Sequence, residues 1–83
     1  MKTRRIGRFE ISYDMIDHDE ATVRTVMGRC VIVRCESMWE SDAISYVAIS
    51  PDFDEVQQGE CVPHYYVYIS ENGKHIEFKR FNK

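Results

Sequence analysis

Lysine and arginine are missing from the middle of this 83-residue chain: none occurs between Cys35 and Gly73. Long apolar runs are missing as well, and no stretch approaches the roughly 20 apolar residues a membrane span needs. Cysteine is sparse and odd in number, with only Cys30, Cys35 and Cys61. Small secreted domains carry an even, denser set, so a disulfide framework is not expected. Cys30 and Cys35 would also point to opposite faces of a strand. The expectation is buried, reduced thiols acting as small hydrophobes in a cytoplasmic protein. The basic start of the chain is followed by no apolar segment of the secretory type, so a signal peptide is not expected either.

Catalytic motifs are absent. There is no Gly-x-Ser-x-Gly elbow, no Gly-x-x-x-x-Gly-Lys phosphate loop and no His-Glu-x-x-His helix. No catalytic residue, metal ligand or cofactor site is therefore assigned. His18 sits among Asp14, Asp17, Asp19 and Glu20, a pattern that reads as a solvated helix N-terminus. His64 and His75 fall about 20 Å apart if their strands pair, far beyond joint ligation. Cys61 lies near His64, but its neighbours Glu55 and Glu60 are the opposite of the electropositive setting a reactive thiol needs.

What is present is enough apolar residue, 43%, for one small core. A length of 83 residues allows a single domain, with residues 1–5 as a flexible basic tail. Arg8 to Tyr13 alternates with the period of a half-buried strand. Asp17 and Glu20 have capping-box spacing, Ala21, Val23, Val26 and Met27 recur at helical intervals, and Gly28 could supply a left-handed stop. A short helix over about 18–27 follows. Cys30 to Glu36 reads as a central strand, because Val31-Ile32-Val33 is continuously apolar. Ala43 to Ser50 is a third strand, ended by Pro51. Residues 51–63 read as a long loop, with Phe53 and Val56 anchoring it onto the core, and His64 to Ser70 as a fourth strand.

Asn72-Gly73 between two alternating runs is the signature of a type I′ hairpin. A two-residue turn sets the register: Tyr65 opposite Arg80, Val67 opposite Phe78, Ile69 opposite Ile76. Val67, Ile69, Ile76 and Phe78 then face the core, and Tyr66, Tyr68, His75, Glu77 and Lys79 face outward. The fold class is α+β, an antiparallel sheet of about five strands with one short helix.

Charge is segregated more than a net of −3 suggests. Eight acids, Glu36, Glu40, Asp42, Asp52, Asp54, Glu55, Glu60 and Glu71, occupy the span without lysine or arginine. Such a surface attracts basic partners and repels phosphate. It is also what simple solvation of two loops would look like. Trp39 and Phe53 are the aromatic residues within these loops and would be apolar anchors if exposed. Tyr66 and Tyr68 beside Lys79 superficially suggest a base-stacking platform, but the Gly-rich aromatic signature of RNA-binding sheets is missing. Direct nucleic-acid binding is disfavoured, and a homodimer face suits these tyrosines as well.

The stretch Tyr46-Val47-Ala48-Ile49-Ser50-Pro51-Asp52-Phe53-Asp54-Glu55-Val56, with Gly59-Glu60 and Pro63, resembles small accessory proteins of phages and prophages, as does the opening Arg5-Ile6-Gly7-Arg8-Phe9. The similarity covers about half the chain and is one of short phrases. It implies a protein that binds and blocks a host factor, as anti-CRISPR and other anti-defence proteins do. The leading expectation is a non-enzymatic inhibitor whose acidic loops, 36–42 and 52–60, dock on a basic host protein that handles nucleic acid. The first alternative is a protein that sequesters a nucleotide signal, with Arg24, Arg29, Arg34 or Lys79 converging near Tyr66 or Tyr68. The second is a structural homodimer.

Overall fold

A computed structural model of the protein describes residues 3–69 and 75–81. Strand β1 (Thr3–Ser12) is followed by helices α1 (Tyr13–His18) and α2 (Glu20–Met27). Then come strands β2 (Val31–Met38), β3 (Ala43–Ile49), β4 (Glu55–Gln57), β5 (Tyr65–Ile69) and β6 (Ile76–Arg80). The α+β class is correct, with six strands among the described residues in place of about five and two helices in place of one.

Four strands form an antiparallel sheet in the order β2-β3-β1-β4, and β5 pairs with β6. A parallel bridge between Arg8 and His64 joins the hairpin to β1. β1 takes a central position because its alternation supplies a fully apolar face: Gly7, Phe9 and Ile11 are all buried. The cross-strand partners of these residues on β3 are Ala48, Tyr46 and Ile44, on the same face. The two helices and the β5–β6 hairpin supply the apolar groups packed on it. Val26 comes from α2, Ile76 from β6 and Tyr65 from β5, and Phe53 comes from the turn after β3. Four rings make the centre: Phe53 lies 4.7 Å from Tyr65 and 4.8 Å from Phe78, and Phe9 lies 5.2 Å from Phe78. Gly7 is required here, since a Cβ at that position would sit 2.7 Å from the Tyr65 ring.

Several expectations need correction. Thr3–Arg5 is not a flexible tail; it pairs with β4 inside what reads as a long loop, placing Arg5 opposite Glu55. The helix begins later than expected and is capped by Asp19, not Asp17: Asp19 Oδ1 accepts from the Thr22 N–H at 3.4 Å. Ser12 caps the preceding helix by accepting from the Met15 N–H at 3.1 Å, so Tyr13 leaves the strand. Gly28 follows α2 with a φ of −69°, in the right-handed region, so it supplies no left-handed stop. The largest correction is β2. It lies at the sheet edge and all eight of its residues are exposed. An apolar triplet reads alike in a covered central strand and in an uncovered edge, because period carries no information about neighbours.

The hairpin register agrees at every position described, from Tyr65 opposite Arg80 to Ile69 opposite Ile76. The type I′ turn at Asn72-Gly73 lies outside the described residues, as does Glu71.

Candidate protein-interaction surface

The acidic residues separate into two groups. Glu36 stands on β2 opposite Ser45, and Trp39, Glu40 and Asp42 form the turn from β2 to β3. Asp52 to Glu60 follow the other end of β3. The ends of that strand, Ala43 and Ile49, are six residues apart, which is about 20 Å at strand rise. A single acidic patch joining both loops is therefore not formed.

The second group is largely compensated. Asp52 receives the Arg29 Nε at 2.9 Å, and Asp54 receives the Arg80 Nη1 at 3.0 Å. Glu60 Oε1 accepts from the Gln57 N–H at 2.8 Å, closing the loop after β4. Phe53 is 1% exposed, so it anchors the loop to the protein's own core and not to a partner. Its carbonyl accepts from Arg5 at 2.9 Å, and the next N–H donates to the Tyr65 hydroxyl at 2.9 Å. The residues that sequence separation hid, Arg5, Arg29 and Arg80, come from outside the acidic span and fold against it.

The first group differs. Trp39 is 84% exposed. Its ring stacks on Tyr13 with centroids 6.4 Å apart and planes at 25°. Tyr13 in turn bonds through its hydroxyl to Ser37 Oγ, and its N–H donates to the Asp42 carbonyl at 3.0 Å. Asp42 adopts a φ of 52°, a left-handed conformation that Asp tolerates better than most residues. Among the described residues, Glu36, Glu40 and Asp42 have no ion pair to Lys, Arg or His. The turn is thus held by backbone and aromatic contacts while its carboxylates and indole stay in water. Tyr13 was not anticipated as part of this surface. The alternation Arg34, Glu36 on one side of β2 was the available sign that this strand faces solvent.

The outer face of the hairpin is as expected: Tyr66 pairs with Lys79 and Tyr68 with Glu77, with both tyrosines exposed. Lys79 Nζ lies 4.3 Å above the Tyr68 ring centroid, a cation–π contact. His75 lies 3.4 Å from Glu77. Of the four cations offered for a nucleotide site, Arg29 and Lys79 come together and Arg24 and Arg34 do not. Arg29 and Lys79 line a cleft together with Asp52 and Glu77, Arg24 is paired with Glu20, and Arg34 is on edge strand β2. Among the described residues no three His, Cys, Asp or Glu side chains gather as a metal site requires. No helix among them is long and apolar enough to cross a membrane.

The cysteines are free, but the expected burial is wrong for two of them: Cys35, on the sheet edge, and Cys61, in the loop before β5, are exposed, and Cys30 is half-buried. Burial, and secondarily the Asp52 carboxylate, push the Cys30 thiol above its ordinary value. Burial also raises the Tyr46 hydroxyl, with Cys35 and Tyr13 adding to the shift. Neither group lies in a setting that would activate it. Compared with protein-family models, curated proteins and solved structures, the chain has no match.

Proposed function

We propose that this chain is a non-enzymatic binding protein of the phage accessory type, which inhibits a host defence or nucleic-acid-processing protein by occupying a basic surface. The docking element is the β2–β3 turn. Trp39 is the apolar anchor, and Glu40 and Asp42 supply the charge that meets lysines and arginines on the partner. The observation that carries this reading is an indole 84% exposed yet preorganised by stacking on Tyr13. Large aromatic residues are the commonest interface hot spots, and fixing one in advance reduces the entropy lost on docking. The carboxylates around it favour encounter with a cationic groove that otherwise holds DNA or RNA. The loop 52–60 is left out of the docking element, because Phe53 is in the core and Asp52 and Asp54 are already paired.

The test is affinity capture from host lysate with the wild-type chain, Trp39→Ala, and a variant carrying Glu40→Gln and Asp42→Asn. A basic nucleic-acid-binding protein should be recovered by the wild type, displaced by added DNA, and lost with either variant. Equal recovery by all three chains would overturn the proposal.

A further inference from the structure

Edge strands are normally shielded from other chains by shortness, charged side chains, proline, a bulge or a covering element. β2 carries two of these, the charges Arg34 and Glu36 and a bulge, which restrict the registers in which it can pair without closing it to pairing. β2 is eight residues long, contains neither lysine nor proline, and is uncovered on both faces. Val31 is 68% exposed and Val33 56%. The strand also carries a bulge: Ile32 pairs with Ala48 and Arg34 with Val47, so Val33 is the extra residue. From these features we infer that β2 is the interface with a second copy of this chain. Two β2 strands pair antiparallel about a two-fold axis through Cys35 and join the two four-stranded sheets.

The register follows from symmetry. A two-fold axis normal to the sheet sets one residue opposite its own copy, because neighbouring residues point to opposite faces. With Val33 bulged out, β2 has seven ladder positions, and Cys35 is the middle one. Centring there pairs the whole strand. Arg34 falls opposite Glu36 of the second copy, and the reciprocal pair forms beyond Cys35. Ile32 then falls opposite Ser37, and Val31 opposite Met38. Face parity agrees throughout. Arg34, Glu36, Val31 and Met38 oppose Val47, Ser45, Ile49 and Ala43, on the sheet face away from the core. Ile32, Cys35 and Ser37 oppose Ala48, Tyr46 and Ile44, on the core side.

Adjacent two-fold registers are penalised. Centring on Arg34 sets guanidinium against guanidinium, and centring on Glu36 sets carboxylate against carboxylate, the like-charge cross-strand pairs that destabilise sheets. Only the Cys35 register makes both charged pairs attractive while covering Val31 with Met38. Trp39 lies four residues from the axis, outside the ladder, so the two docking turns stand about 26 Å apart at the ends of the shared strand pair. The inference does not depend on the turn having a partner.

The experiment is the solution mass of the full chain by light scattering and sedimentation at micromolar concentrations. Two copies are expected, against a chain mass of 9.8 kDa. Arg34→Glu should weaken association roughly tenfold or more, since both attractive pairs become repulsive. The swap Arg34→Glu with Glu36→Arg should restore it. Circular dichroism checks that each variant is folded. As a position-specific readout, Cys30→Ser with Cys61→Ser leaves Cys35 alone. Residues directly opposite in an antiparallel pair have Cα atoms about 4.5–5.5 Å apart, inside the disulfide range. Diamide, which takes up the two electrons and two protons, should therefore link two copies through Cys35. A monomer at every concentration, a failed rescue by the swap, or a dimer that Cys35 does not link would each overturn the inference. A dimer lost instead on Tyr66→Ala with Tyr68→Ala would place the interface on the hairpin and overturn it as well.

Discussion

Replacing Phe53 separates a core anchor from a docking anchor. The side chain is 1% exposed and contacts Tyr65 at 4.7 Å, Phe78 at 4.8 Å and Phe9 at 6.3 Å between ring centroids. Truncation to alanine loses the transfer free energy of the ring and leaves a cavity among three other rings, about 3–5 kcal/mol for a buried Phe. A domain of this length has about 4–12 kcal/mol of stability in total, so Phe53→Ala should be largely or wholly unfolded at 37 °C. Phe53→Leu keeps most of the volume and removes two close ring pairs worth about 0.5–1.5 kcal/mol each. Its expected loss is about 1–3 kcal/mol, a fall in Tm of roughly 5–20 °C for a domain of this size. Trp39→Ala is the matched control: it removes an 84% exposed ring with one stacking partner and should change stability by less than about 1 kcal/mol. Urea titration followed by circular dichroism measures all three, at one protein concentration so that association contributes equally. A loss below about 1 kcal/mol for Phe53→Ala, with the slope of the titration unchanged, would refute the packing described and return Phe53 to the list of surface anchors.

Gly7→Ala forces a Cβ to within 2.7 Å of Tyr65 and 3.0 Å of Phe53, both buried rings; it should lose about 1–3 kcal/mol in the same titration, and a neutral result would mean the rings do not approach β1 this closely. Alkylation at neutral pH, read by mass spectrometry, should modify Cys61 well before Cys30, whose thiol is half-buried and raised. The rate at Cys35 should fall as protein concentration rises, while the rate at Cys61 should not. Cys30 also gives stability a pH dependence with a definite sign. Its folded value lies above the ordinary 9.0, so the native state holds the proton longer than the unfolded chain. The contribution is fully present below about pH 9 and is lost as pH rises through the folded value. Cys30→Ala should flatten that part of the alkaline decline, as seen in urea midpoints measured from neutral to alkaline pH.

The parts of the fold legible in the sequence are those governed by local chemistry. Asn72-Gly73 between alternating runs predicts the pairing of Tyr65 with Arg80 through Ile69 with Ile76, since a two-residue turn would leave no freedom of register, and the described strands pair in that register. The core face of β1 was legible in Phe9 and Ile11 for the same reason. Helix entry was legible only to within two residues: Ser12, Asp17 and Asp19 are all chemically able to cap, and tertiary packing of Met15, Ile16 and Val26 selects among them. Strand order was not legible. Val31-Ile32-Val33 suggested burial, but β3 and β1 together already fill the centre of the sheet, leaving β2 the edge. Charge sorting was legible along the chain and misleading in space. Arg5 faces Glu55 across two strands, and Arg29 and Arg80 reach Asp52 and Asp54 from segments 23 and 26 residues away.

An exposed apolar edge creates a hazard that the rest of the sheet constrains. Unlimited edge-to-edge growth needs two pairing-competent edges, and this sheet offers one. Its far edge is β4, three residues long, with Glu55 at its start and the parallel bridge from Arg8 to His64 beyond it. A two-fold pairing through β2 therefore consumes the long edge of the four-stranded sheet and closes, which separates a dimer from a fibre. Arg34 and Glu36 then act in both directions at once. Their spacing makes the neighbouring two-fold registers repulsive and the Cys35 register attractive, so the charges that deter indiscriminate strand addition also specify a single partner. Moving one charge would break this arrangement: exchanging Glu36 with Ser37 (Glu36→Ser with Ser37→Glu) keeps the strand's length and composition but takes the carboxylate off the position opposite Arg34 of the second copy and onto the other face. That variant should pair weakly or aggregate, while the swap of Arg34 and Glu36 pairs normally. Equal dimer stability in the two, measured by sedimentation, would mean that general edge stickiness and not this register holds the copies together.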